Sequence, residues 1–168
     1  MSILAVEANR DTINSVSMKY GVPAEIIGGI IYKEFLTRLL PDSVANIDTF
    51  FDLPIPGTYH STGLGAIFPN TARSAWEFVN PNLILHPDDS SLQYRLSVDT
   101  KFNIETIAVL LIYEARNANH ISDPNSAKDL TLEQWKDAVV RYNGFGDKAH
   151  KYANQVYEYL NDISTLLR

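Results

Sequence analysis

The chain has 168 residues, of which 45% are apolar and 20% charged, with no cysteine and a formal net charge of −6. This size and composition suit one globular domain with a single core, and the missing cysteines exclude disulfides and thiolate metal sites. The acidic balance, with no cluster of Lys or Arg, argues against nucleic acid as a partner, and the longest apolar run, residues 107–113, is too short to span a bilayer.

In chain order, residues 3–20 read as a first helix with Ile13, Val16 and Tyr20 on one side. Gly21 closes it as a C-terminal cap. Residues 23–40, PAEIIGGIIYKEFLTRLL, read as a second helix. Pro23 suits its first position, Glu25 complements the dipole of its first turn, and Pro41 sets the stop. The apolar stripe Ile27, Ile30, Ile31 continues onto Glu34, so a carboxylate stands where the helix faces its core. Desolvation raises a carboxyl pKa, and an acid still protonated near neutral pH can donate to a leaving group. The same placement also fits a structural Glu tied to an Arg or to backbone donors. Gly28-Gly29 costs about 1 kcal/mol per residue against Ala. The pair signals a close approach by another backbone or a ligand, or plain tolerance.

Residues 41–60 form a long irregular segment with Pro41, Pro54, Pro56 and Gly57. It carries Asp42, Asp48 and Asp52, and its Phe50, Phe51 and Leu53 predict a packed loop, such as a cleft wall or lid. Residues 61–67, STGLGAI, are glycine-spaced, which permits close approach or positive φ. A helix then runs from Pro69 to about Val79, a loop covers 80–89, and a short helix is expected over 90–97. Asn103 suits the N-cap of a helix over 104–116, which is apolar all round and reads as the buried centre. A polar loop follows, and Thr131 with Gln134 forms a capping box for a helix to Tyr142. After the turn at 143–146, Asp147 caps a last helix with Tyr152, Val156, Leu160 and Ile163 on one face. No strand or repeat stands out. The expected fold is all-α, with about six to eight helices around the central one.

His60, His86, His120 and His150 are scattered, with no metal-binding spacing between them. No phosphate-cradling loop or dinucleotide fingerprint is present. No metal and no cofactor are expected.

Tyr20-Gly21-Val22, Glu34, Gly63-Leu64, Pro69, Thr71-Ala72, Asn103-Ile104 and Tyr142-Asn143-Gly144 occur in a recognisable order. Over about residues 10–160 they resemble the lysozyme-like domain of soluble lytic transglycosylases and goose-type lysozymes. In those families a helix after Tyr-Gly ends in the catalytic Glu. A glycine loop and a Pro-x-Thr-Ala helix follow, and Tyr-Asn-Gly comes late. The chain departs from the pattern at Phe35, usually Ser, and at Gly65-Ala66, usually Met-Gln. Ile107 and Leu110 stand where the central helix usually has Gly and Tyr.

The resemblance implies a peptidoglycan-cleaving glycosidase acting on the bond between MurNAc and GlcNAc, with Glu34 as general acid. A lytic transglycosylase lets the 6-hydroxyl of the sugar attack and needs no second carboxylate. An inverting hydrolase needs a base roughly 6.5–9.5 Å away to activate water. Asp48 and Asp52 are the candidates for that role, although loop aspartates are usually turn caps. His60, Ser61, Gly63, Leu64, Tyr142 and Asn143 are the candidate substrate-binding residues. The partner would be peptidoglycan glycan strands and the chain a monomer. The opening MSILAVEANRDT lacks the basic and apolar regions of a secretory leader. Action at the cell wall would then require delivery, by a holin or by a secretion machine. The other reading keeps the lysozyme-like fold as a non-catalytic module that binds glycan or protein.

Overall fold

The computed structural model describes residues 2–39 and 61–168. The described residues are helical, with no strand among them. The expected first helix is two, α1 (Ser2–Ala8) and α2 (Arg10–Tyr20). Asn9 divides them. Its amide donates to the Ala5 carbonyl at 2.8 Å, ending α1, and its own carbonyl accepts from Ile13 to begin α2. Gly21 ends α2 in the left-handed region, φ 71°, as its sequence position predicts.

Helix α3 (Ala24–Leu39) follows directly. Its Ile26, Ile27, Ile30 and Ile31 are fully buried. Helix α4 (Pro69–Val79) starts on Pro69, and α5 (Asp89–Val98) is capped by the Asp88 carboxylate. The central helix α6 (Thr100–Asn117) starts earlier than expected. Asp99, not Asn103, is its N-cap, accepting from the Phe102 N–H at 3.0 Å. Asn103 is buried inside the first turns instead. As its sequence suggests, α6 is the most buried helix, packed between α4 and α7.

A 3-10 turn (Pro124–Asp129) interrupts the expected polar loop. Helix α7 (Leu132–Tyr142) carries the capping box of Thr131 and Gln134. The last expected helix is also two, α8 (Asp147–Glu158) and α9 (Leu160–Leu166), with Gly146 rather than Asp147 as the cap position. At the break, Tyr159 lays its ring on Tyr32 of α3, 4.6 Å between centroids. Splitting the first and last helices raises the expected number to nine α-helices among the described residues.

All nine helices contribute to one continuous apolar core. Trp76 of α4 stacks on Phe102 of α6 at 5.7 Å and donates its indole N–H to Thr106 at 3.0 Å. Among the described residues, no helix is long and apolar enough to cross a membrane.

Candidate functional site

Glu34 lies near the C-terminal end of α3, past the last fully buried isoleucine, and is half-buried. The apolar stripe brings it to the core edge, where α8 packs against α3. There Tyr152, 7% exposed, donates its hydroxyl to Glu34 Oε1 at 2.7 Å. Burial pushes the Tyr152 phenol well above its ordinary pKa, and the charges of Glu34 and Tyr142 push the same way. The phenol therefore stays protonated and stays a donor. A hydroxyl hydrogen bond of this length to Oε1 fixes the orientation of the Glu34 carboxyl group.

Tyr142 reaches the glycine loop. It stands close enough to Tyr152 to affect its ionisation, and its hydroxyl donates to the Gly65 carbonyl at 2.6 Å. The loop is a tight turn closed by Thr62 and Ile67, whose amides and carbonyls pair at 3.1 and 3.0 Å. Asn103 holds it from below. Its side-chain oxygen accepts from the Gly65 N–H at 3.0 Å, and its amide donates to the Leu96 carbonyl at 3.1 Å. A buried amide with these partners satisfies groups that burial would otherwise leave unpaired. Gly63 has φ 74°, and a Cβ there would lie 2.5 Å from the Leu96 carbonyl. A Cβ on Gly65 would lie 2.5 Å from Ile107 and 2.7 Å from the Tyr142 hydroxyl.

Glu34 with Tyr152 and Tyr142 with Gly65 thus form two hydrogen-bonded pairs, the Tyr142 phenol adding to the upward push on the Tyr152 pKa. Gly63 is buried in the same loop, and Ser61 and Leu64 are half-buried beside it. Asn143 caps α7 and is exposed. Asp48, Asp52 and His60 lie outside the described residues.

Two contributors were not expected from sequence. Tyr152 reads there as an apolar-face residue, and only its contact with Glu34 gives it a second role. Asn103 reads as a helix cap, whereas its side chain tethers the loop. Among the described residues, no group of His, Asp and Glu is arranged to hold a metal ion. No family model matches the chain, and no curated protein or solved structure matches it either.

Proposed function

We propose that the protein is a peptidoglycan-cleaving glycosidase of lysozyme-like fold, a lytic transglycosylase or a muramidase, with Glu34 as its general acid. The observation that supports this most is the 2.7 Å bond from Tyr152 to Glu34, on a carboxylate at the core edge beside the Tyr142–Gly65 contact. Tyr152 holds Oε1, and the proton for the glycosidic oxygen is carried on Oε2. As the bond to the anomeric carbon breaks, that proton moves to the departing sugar. In the transglycosylase course, the 6-hydroxyl then attacks the anomeric carbon and returns its proton to Glu34. In the hydrolytic course, a second carboxylate activates water, and Asp48 and Asp52 are the candidates.

The test is mass spectrometry of the soluble products released from purified peptidoglycan. Anhydro-muropeptides identify a transglycosylase, and reducing-end products identify a hydrolase. Glu34→Gln keeps the hydrogen bond from Tyr152 but has no proton to give, and lowers release by about 10²- to 10⁴-fold. Tyr152→Phe removes the positioning bond and lowers kcat roughly tenfold with little change in KM. Product release unchanged in Glu34→Gln overturns the assignment.

Gly65 favours the second reading, a module that binds glycan or protein without cleaving it. The related loops carry Met at this position, whereas Ile107 and the Tyr142 hydroxyl leave no room here for a Cβ. That reading expects peptidoglycan or a protein to be retained by the wild type with no product released.

A further inference from the structure

A second hollow lies away from the Glu34 site, between the end of α2, the end of α4 and the 3-10 turn. Its volume is about 580 Å³ and it shares no residue with the Glu34–Tyr152–Tyr142 cluster. This is within the usual range for a small-ligand site. Met18, Phe78, Pro81 and Pro124 supply apolar walls, and Lys19 and Lys128 supply two ammonium groups. Among the described residues no carboxylate lines it, in a chain whose net charge is −6.

The two lysines differ. Lys19 is already engaged, with Nζ 3.0 Å from Glu105 of α6 and 4.7 Å from the centre of the Tyr20 ring. Lys128 makes no ion pair among the described residues. Asp129 follows it directly on the same turn without forming an ion pair with it, and Asp123, the cap of the turn, is occupied, accepting from the Asn125 backbone and side chain at 3.0 Å. Met18 is 82% exposed, which leaves its flexible thioether open to a ligand in the hollow. Arg116 adds a further positive charge 4.6 Å above the Phe78 ring.

From this arrangement we infer that the hollow binds a small amphiphilic carboxylate, its charged end at Lys128 and its apolar body against Met18, Phe78 and Pro81. A hollow that sets apolar walls beside polar groups recognises such a molecule by both ends. The apolar walls supply most of the affinity, and the ammonium selects the anion over its neutral counterpart.

The probes are octanoate and 1-naphthoate, an aliphatic and an aromatic form of the same chemistry, with octanol and 1-naphthalenemethanol as neutral controls. Titration calorimetry on the full chain measures binding, and amide chemical shifts locate it. At least one carboxylate binds, about threefold to fivefold more tightly than its alcohol. Whichever carboxylate binds tells whether the body is a chain or a ring. Lys128→Gln removes that preference, and Lys128→Glu weakens the carboxylate about tenfold or more. Lys128 is exposed, so both variants keep the fold. Met18→Ala weakens acid and alcohol alike. Shifts are confined to residues near 18–21, 78–81 and 124–128. Glu34→Gln binds the probes as the wild type does, so this result is independent of any result on cleavage. Binding of neither carboxylate, equal binding of acid and alcohol, or indifference to Lys128→Glu overturns the inference.

Discussion

At Gly28 and Gly29 of α3 the missing side chains are replaced by apolar atoms. Ile163 and Leu167 crowd the first and Val156 the second, all from the C-terminal helices and the cap that ends them. At Gly63 and Gly65 the space is taken largely by polar groups, the Asn103 side chain, the Leu96 carbonyl and the Tyr142 hydroxyl, with Ile107 alongside. One pair lets two helices close on each other. The other lets a backbone turn come within hydrogen-bonding range of Asn103 and Tyr142. The first pair therefore governs stability, and the second governs stability and site geometry together.

Gly63→Ala breaks the comparison most severely. Its φ of 74° disfavours any side chain, and a Cβ would meet first the Asn103 amide and then the Leu96 carbonyl at 2.5 Å, which is backbone and cannot swing away. The strain and the clash together cost about 3 kcal/mol or more. Denaturant unfolding reads this as a lower midpoint at unchanged slope. On the proposed function, product release from peptidoglycan falls further than the loss of folded protein explains, because the turn moves relative to Tyr142 and Glu34. Cleavage unchanged per folded molecule would separate the loop from the site.

Gly28→Ala is smaller and one-sided. The new Cβ would lie 2.7 Å from Ile163 Cγ2, on a β-branched side chain that is 1% exposed and has nowhere to turn. Overpacking costs about 1–3 kcal/mol, and about 1 kcal/mol returns through helix propensity. The net loss is about 1 kcal/mol, again read from the denaturation midpoint. On the proposed function, cleavage per folded molecule stays at the wild-type value. A fall in cleavage here would mean that α3 transmits packing strain from Gly28 to Glu34, two turns away.

What the sequence makes legible follows the same division. Helices whose ends carry their own chemistry are found where expected: Gly21 closes α2, Pro69 opens α4, and Thr131 with Gln134 opens α7. The breaks at Asn9 and Tyr159 are not legible, because neither has a Pro or Gly beside it. Asn103 is misread for a physical reason. It and Asp99 are four residues apart and both suit an N-cap, and only the turn at 62–65 decides that Asn103 is needed elsewhere. Glu34 is legible through the stripe that carries it to the core edge. Tyr152 is not, since its hydroxyl meets a partner 118 positions away and periodicity shows only the ring. Gly28-Gly29 announces a close approach without saying what approaches, which is settled by the side chains of α8 and α9.

Gly29→Ala has the smallest expected effect and sharpens the comparison within α3. Its Cβ would stand 3.0 Å from Val156 Cγ1 and 3.5 Å from Leu160 Cδ2. A shift of a few tenths of an ångström at the Val156 methyl relieves the contact. Leu160 is only half-buried and yields more easily than Ile163 does at Gly28. The helix gains about 1 kcal/mol from replacing Gly by Ala, and the residual crowding costs a similar amount. The two nearly cancel, leaving stability within about 0.5 kcal/mol of wild type. A loss as large as that of Gly28→Ala would show that Val156 cannot move. In that case α8, which also carries Tyr152, is held against α3 as rigidly as α9, and Tyr152 is fixed on Glu34 by packing as well as by its hydrogen bond.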